Sequence, residues 1–371
     1  MAIRMRTNRR CSFPLANPCR QFGLSLIELL VALALAMTVL GGAVQVLLTA
    51  KQHFLLEHAL AELQQNGRFA LHYLGAEIRM AGYSGCPARR TPFANAVRGA
   101  GGSWYLAGPG LQGYEHNAGL AAFPDAFSAA VLPNTDALVV RYGEVAGLQV
   151  VGHDDPTTAR IPLNRVHTFQ PGQVLLVAAA NCSQVAQFQL SSVQGGRHVL
   201  EHAVGQVGPG NCTQQLGGTF TCSGMEASSM ATYPNGSVVL RLRSEAYYIG
   251  ASAADAAVPA LFRERLLLNS TTGRLYTAAE ELVSGVENLQ LRYGLDTHSN
   301  DGYVDRYLSA DAIGSQWARV RTVRISLRLR SHDPVHHEAV AFSAFEDVPG
   351  TAGADRYLRR SITTTVAVRN H

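Results

Sequence analysis

The chain of 371 residues is 47% hydrophobic and 16% charged, which suits one large or two modest folded domains and excludes a largely disordered protein. Its formal net charge of +4 does not indicate a nucleic-acid-binding protein, because the excess is local. Five of the 31 basic residues and none of the 27 acidic residues lie in residues 1–23, so residues 24–371 carry 26 basic and 27 acidic side chains.

The first predicted element is a membrane-spanning helix over residues 24–50. No charged side chain occurs between Leu29 and Leu48, and about twenty helical residues at about 1.5 Å each cover the roughly 30 Å hydrocarbon core of a bilayer. Arginines that precede an apolar span keep that end in the cytoplasm. Residues 51–371 are therefore predicted on the far side of the inner membrane.

Glu28 is the one acidic residue in this segment, where a carboxylate costs about 2.5–3.5 kcal/mol and needs a cation in reach. A cut after Gly23 would make Leu24 the new amino terminus and Glu28 the fifth residue. This arrangement resembles the signal of type IV prepilins. In that family a prepilin peptidase removes the leader, here residues 1–23, and methylates the new terminal amine, here that of Leu24. The resemblance implies that Glu28 pairs with the terminal amine of a neighbouring subunit during assembly.

An ordinary secretory signal, cleaved at a small-residue site such as Ala34-Leu35-Ala36, is the alternative. The apolar region of such a signal usually has about 7–15 residues and ends at its cleavage site. Here the apolar run continues and carries an acid near its start, which favours a retained helix.

Residues 51–81 continue the helix in amphipathic form. No proline occurs between Leu24 and Gly85, so one unbroken helix is predicted up to Ala81, and the glycines and proline of Gly82–Pro87 end it. Apolar or small residues recur at three- and four-residue steps and predict a stripe that packs on the following domain: Leu56, Leu60, Leu63, Gly67, Ala70, Leu74, Ile78 and Ala81.

Four cysteines follow the membrane span and two lie in the leader: Cys86, Cys182, Cys212 and Cys222, and Cys11 and Cys19. An even set that faces an oxidising compartment predicts two disulfides, for which three pairings are open. We prefer Cys212 with Cys222, which closes a short loop containing glycine, and Cys86 with Cys182 as the long-range pair.

Residues 82–371 are predicted as a β-rich domain. Residues 88–135 are expected to be a long irregular connection with short pieces of structure, and Glu280–Leu289 a short helix or turn. Strands are predicted where apolar alternation is bounded by turn-forming residues: Ala137–Tyr142, Val174–Ala180, Gln184–Leu190, Val238–Ile249, Leu289–Tyr293, Arg319–Arg330 and Ile362–Arg369. A helix followed by strands without helical crossovers indicates an α+β fold, with a long helix packed on an antiparallel sheet.

Several segments of the chain look like the PilW type of type IV pilus minor pilin. They are spread over nearly the whole sequence, which makes them more specific than the prepilin signal alone: Phe69-Ala70, Ile78–Cys86, Asp136–Gly143, Tyr247–Ile249, Pro259–Arg263, Glu280–Asp296, Trp317–Ser331 and Asp355–Arg369.

The resemblance implies a pilin-like fold and a structural subunit with no catalytic residues. It implies a minor pilin that primes pilus assembly near the fibre tip and serves twitching, adhesion or DNA uptake. Its partners would be other minor pilins, the major pilin, a tip adhesin, the inner-membrane assembly platform and the prepilin peptidase. The molecule would be a single-pass inner-membrane protein before assembly and a cell-surface protein afterwards.

Three other functions stay open. The J-type minor pseudopilin of a type II secretion system is similar in signal and plan. A pilus-borne adhesin or DNA receptor would need a ligand pocket or salt-dependent DNA binding, and the charge balance makes nucleic acid an unfavoured partner. A membrane-anchored periplasmic enzyme is least favoured, because no matched nucleophile, base or metal set occurs in the sequence.

Oxygen-bearing side chains of Asp296, Asn300, Asp301 and Asp305 resemble a calcium loop, since this hard cation takes several oxygen ligands. The register fails, because His298 occupies a ligand position and the twelfth-position glutamate is missing. A hydrogen-bonded Asx turn is the preferred interpretation. No cofactor is predicted, and calcium is kept as a minor hypothesis.

Two other patterns are interpreted as structural. Gly108, Gly110 and Gly113 form G-x-G-x-x-G without the strand and helix that a dinucleotide-binding turn requires. Arginines at 324, 328 and 330 alternate along one predicted strand, and a solvated sheet face or a subunit contact is favoured over DNA binding.

Overall fold

The chain divides into two compact units, the first ending at Leu55 and the second beginning at Leu56. The structure is a computed structural model. It describes residues 25–87, 91–115, 127, 130–193, 195–205, 208–222, 228–298, 301–346, 348 and 354–370. The predicted leader, with the cleavage site at Gly23, and the predicted methylation site at Leu24 lie outside these residues.

One helix, α1, runs from Leu26 to Met80 without a break, as the absence of proline predicted. In the first unit every described side chain of this helix is exposed. The helix continues through Gly41 and Gly42, although each glycine lowers helix stability by roughly 1 kcal/mol relative to alanine.

The larger sheet of the second unit has nine strands within the described residues, and its centre is β9 (Val238–Ala251). On one side β9 pairs with β3 (Ala137–Gln149). On its other side it pairs first with β5 (Val174–Ala178) and then with β10 (Pro259–Leu268). The other members are β1 (Phe93–Asn95), β2 (Leu111–Tyr114), β6 (Val185–Gln189), β8 (Phe220–Thr221) and β11 (Leu275–Ser284).

The smaller sheet has four strands in the described part of the chain, in the order β13-β12-β14-β17, and all its pairs are antiparallel. Its members are β12 (Val286–Leu295), β13 (Arg306–Leu308), β14 (Val320–Pro334) and β17 (Tyr357–Ala367). Two short pairs complete the strands, β4 (Arg160–Pro162) with β7 (Val199–Glu201) and β15 (Val340–Ala341) with β16 (Ala354–Asp355).

The predicted α+β fold is confirmed, and each predicted strand occurs with its ends shifted by a few residues. Among the strands that the structure describes, β1 departs from antiparallel pairing, because it runs parallel to both β6 and β8. In β14 the predicted alternation buries four apolar residues on one face: Val323, Ile325, Leu327 and Leu329.

The prediction of a short helix or turn over Glu280–Leu289 was wrong. Strand β11 continues to Ser284 and β12 begins at Val286, with Gly285 alone between them. The N–H of Gly285 donates to the Pro259 carbonyl (2.8 Å) and its carbonyl accepts from the Arg330 N–H (2.8 Å). The chain therefore crosses from the larger sheet to the smaller one at a single residue. Pairing of β11 with β10, a strand that was not predicted, outweighs the local preference of these residues for a helix or turn.

The main hydrophobic core joins the carboxy-terminal half of α1 to both sheets. The buried helix positions match the predicted stripe closely: Ala59, Leu63, Gly67, Ala70, Leu74, Gly75 and Ile78. At Gly67 a side-chain carbon would overlap Ile362 of β17. The stripe therefore brings the backbone of α1 close to the last strand.

Two disulfides stabilise the second unit. Cys86 is bonded to Cys182, 96 residues away, and Cys212 is bonded to Cys222, ten residues away. These are the preferred pairs of the sequence analysis. If a disulfide acts by lowering the conformational entropy of the unfolded chain, the Cys86–Cys182 bond stabilises the fold by about 4–5 kcal/mol.

The carboxy-terminal end of the chain caps the carboxy-terminal end of α1. The Asn370 side-chain amide donates to the carbonyl oxygens of Arg79 (3.1 Å), Met80 (3.4 Å) and Ala81 (3.4 Å). These carbonyls have no partner within the helix. A residue near the end of the sequence thus satisfies an element near its beginning.

The corner at Gly285 generates a prediction. Gly285 has φ of +78°, and a Cβ there would lie 2.8 Å from the Arg330 carbonyl oxygen, whereas Gly147 has φ of +69° with open space around it. Replacing either glycine by alanine should cost about 1–2 kcal/mol for the left-handed backbone. Gly285→Ala should cost more, because the corner must also move.

The measurement is chemical unfolding of the full chain in detergent micelles, with Gly147→Ala as the matched control. Equal losses of unfolding free energy in the two variants would show that the contact with Arg330 does not constrain the corner.

Candidate functional site

The amino-terminal part of α1 presents an apolar surface with a single acid. Glu28 lies in the first turn of the helix and is exposed, where a negative charge interacts favourably with the helix dipole. The hydroxyls of Thr38 and Thr49 donate to the Leu35 (2.8 Å) and Gln45 (2.9 Å) carbonyls. The segment is long and apolar enough to cross a membrane, with a mean hydropathy of 2.2. Its side chains therefore offer apolar surface and one carboxylate to a neighbour.

The candidate calcium loop is closed by its own hydrogen bonds. Asp305 Oδ2 accepts from the backbone N–H groups of Thr297 (2.5 Å) and His298 (3.0 Å), and these bonds lower the pKa of Asp305 to about 2. Asp301 Oδ1 accepts from the Tyr303 N–H at 3.0 Å. Asp301 thus forms the Asx-type turn that the preferred interpretation expected, whereas Asp305 bonds to residues seven and eight positions earlier in the chain.

The first residue of this loop makes a buried ion pair. Asp296 Oδ2 accepts from the Gly302 N–H (2.9 Å) and from the guanidinium of Arg321 (2.9 and 3.1 Å). Asn300 lies outside the described residues. Among the residues that are described, no group of three or more His, Cys, Asp or Glu side chains could hold a metal ion, and calcium binding stays a prediction.

The arginine face of β14 is covered by aromatic rings of the same chain. The expectation of a solvated face was wrong for Arg328, which is only 9% exposed. Its guanidinium lies 4.6 Å from the Phe345 ring centroid, and such contacts contribute about 0.5–2 kcal/mol each. Two neighbouring pairs repeat the arrangement, Arg324 over Tyr307 (4.2 Å) and Arg330 over Tyr357 (4.3 Å).

The glycines of the G-x-G-x-x-G pattern form a loop and a strand. Gly110 precedes β2, which contains Gly113, so no helix begins where a dinucleotide-binding turn would need one. Gly108 has φ of +115°, and a Cβ there would lie 3.0 Å from Arg141 Nη1. The loop therefore packs on a buried arginine that the sequence analysis did not identify.

A second feature missed by the sequence analysis is a pair of carboxyl groups, of which Asp136 is buried and Glu115 is half-buried. Asp136 Oδ2 accepts from the Leu291 N–H (2.7 Å), and Glu115 Oε1 accepts from the Ala310 N–H (2.9 Å). The two side chains also hydrogen-bond to each other. Burial, followed by the charge of Glu115, raises the pKa of Asp136 to about 8. The pair therefore shares a proton at neutral pH.

This pair predicts that the protein loses stability as the pH rises. The pKa of Asp136 is about 8 in the fold and 3.8 in a free side chain, so the folded state holds a proton that the unfolded state has released. The unfolding free energy should fall between about pH 4 and 8, by up to about 1.4 kcal/mol per pH unit. Asp136→Asn should flatten this dependence, because the amide keeps an acceptor for Leu291.

Chemical unfolding at several pH values measures the slope. Asp333→Asn, at an exposed carboxylate, is the control and should leave the slope unchanged. A slope in Asp136→Asn as steep as that of the original chain would contradict the assignment.

Comparison with known proteins returned two family matches. The prokaryotic N-terminal methylation motif matches residues 18–44, and the family described as Type IV Pilus-assembly protein W (PilW) matches residues 246–370. No curated protein and no solved structure matched the chain. The first match contains Glu28 and the apolar start of α1, and the second contains the end of β9 and all of the smaller sheet. With these two regions in one sequence, the matches support a type IV pilus minor pilin of the PilW type.

Proposed function

We propose that this minor pilin primes type IV pilus assembly and occupies a position at or near the fibre tip. The observation that carries the proposal is the exposed apolar part of α1 with Glu28 in its first turn. A helix of this kind can be stored in a bilayer and later packed among other helices, because both surroundings are apolar.

Glu28 would fix the position of α1 along the neighbouring helices. A carboxylate held in apolar surroundings is costly unless a cation meets it. Cleavage after Gly23 would free the amine of Leu24, and the methylated amine of a neighbouring subunit is then the cation. Each subunit would be accepted only where its acid reaches that amine.

The proposed partners are other minor pilins, the major pilin, a tip adhesin and the inner-membrane assembly platform, with the prepilin peptidase acting first. The description of the matched family as a pilus-assembly protein supports an initiating role. Before assembly the molecule would cross the inner membrane once with its leader in the cytoplasm. Afterwards its β-rich domain would face the medium and contribute to twitching, adhesion or DNA uptake.

Two of the other functions considered above receive less support. The match to the PilW family over residues 246–370 favours a pilus over a type II secretion pseudopilin. A DNA receptor would use free basic groups, whereas the guanidinium of Arg328 is stacked on Phe345. A structural subunit needs no catalytic residues, and none is assigned.

Replacing Glu28 by alanine should leave leader cleavage intact and reduce incorporation into fibres. We expect about tenfold or more loss in sheared fibres, because 1.4 kcal/mol lost per contact already changes an equilibrium constant tenfold. Glu62→Ala, at an exposed acid farther along α1, is the matched control. Normal piliation by a strain that carries only the Glu28 variant would refute the pairing role.

The mature amino terminus provides a separate prediction. Mass spectrometry of the chain recovered from sheared fibres should find N-methylated Leu24 as its first residue. A retained arginine-rich leader, or trimming after Ala36, would exclude prepilin processing. Absence of the chain from fibres of a piliated strain would contradict a place in the pilus.

A further inference from the structure

A cavity of about 390 Å³ lies in the second unit, beneath the loop Gly108-Pro109-Gly110. Its walls include the apolar side chains of Leu106, Leu176 and Leu242 and the amides of Asn95 and Gln187. This volume is within the usual range for small-ligand sites, which combine apolar walls with a few polar groups. Thr91 and Thr221 also line the cavity and are half-buried, so it reaches the surface.

Arg141 supplies the one charged side chain among the residues that line this cavity. It is 6% exposed and stands on β3. Its Nε donates to the Trp104 carbonyl (2.5 Å), its Nη1 to the Pro109 carbonyl (2.6 Å) and its Nη2 to Gln112 Oε1 (3.3 Å).

These acceptors are all uncharged. Tyr114, the remaining polar neighbour, is a phenol. Within the described part of the chain Arg141 forms no ion pair, whereas Arg243 on the adjacent β9 pairs with Glu144 at 2.9 Å. Burial lowers the pKa of Arg141 to about 10, so the guanidinium still carries its charge at neutral pH. Among the described residues, a positive charge without an acidic partner thus lines a cavity with mostly apolar walls.

Such an arrangement is costly in isolation and becomes favourable when an anion enters. A buried ion keeps most of its desolvation penalty until an opposite charge and good hydrogen-bond geometry compensate it. A guanidinium has five N–H donors; three of them go to the acceptors named above, and Tyr114 is a further hydrogen-bond partner. A carboxylate is a suitable partner for the remaining donor, because it also supplies the opposite charge.

We propose that this cavity binds the carboxy-terminal residue of a partner polypeptide, with the terminal carboxylate on Arg141 and an apolar side chain among the leucines. The amides of Asn95 and Gln187, which are bonded to each other at 3.2 Å, make one wall of the cavity polar, and a polar wall favours a peptide over a simple alkyl chain. The choice of a polypeptide rests on the proposed function, in which this protein joins other pilus subunits. The opposing interpretation is that Arg141 serves only to hold the loop over β3.

The test measures ligand binding by the full chain in lipid nanodiscs, which keep detergent out of an apolar cavity. The probes are N-acetyl-leucyl-leucine as the free acid, the same dipeptide as its carboxamide, and decanoate, each titrated by calorimetry. We expect the acid to bind about tenfold or more tightly than the carboxamide, since the carboxamide lacks the charge. Arg141→Gln should abolish this difference, and Arg243→Gln, at a partly exposed arginine on the next strand, should preserve it.

Equal affinity of acid and carboxamide, or no binding of either, would overturn the proposal and leave Arg141 a loop-holding residue. Binding of decanoate without the dipeptide acid would overturn the choice of a polypeptide. The comparison of acid with carboxamide uses the unaltered chain, so it remains decisive if Arg141→Gln fails to fold. Binding by the purified protein is independent of piliation, so failure of the Glu28 prediction would not affect this result.

Discussion

The packing of the α1 stripe against two sheets at once is the constraint on which the second unit depends. Leu63, Leu74 and Ile78 share one core with inward residues of the larger and smaller sheets. A fully buried leucine removed from such a site typically costs about 2–5 kcal/mol, which is a large fraction of a domain's total stability. The helix is therefore the central element of the β-rich domain as well as its connection to the apolar segment.

Charge is handled in three different ways inside this domain. Asp296 is matched by Arg321 at 2.9 Å, Asp136 shares a proton with Glu115, and Arg141 rests on neutral oxygens. The first arrangement neutralises its own charge, and the second reduces two negative charges to one. The third keeps its full positive charge next to a cavity, and this is the feature on which the proposed binding of a carboxylate rests.

Sequence periodicity was sufficient to predict the helix and the strands that have one buried face. The stripe from Leu63 to Ile78 and the alternation of Val323 to Leu329 show their periods directly in the sequence. The prediction for residues 280–289 was wrong because β11 pairs with β10, and only that pairing makes Gly285 a corner. The same holds for the candidate functional residues. Glu28 can be recognised from the sequence because it is an acid in an apolar run. Arg141 cannot, because its role depends on carbonyl groups 32 and 37 residues away.

The bond from Asn370 to the end of α1 has a consequence for biogenesis. Helix α1 leaves the ribosome early, but the side-chain amide that caps its last carbonyls belongs to a residue 289–291 positions later. Strand β17, which covers Gly67, is also made long after α1. The packed face of α1 therefore stays uncovered until these later residues have been made. During that interval its apolar stripe is open to chaperones.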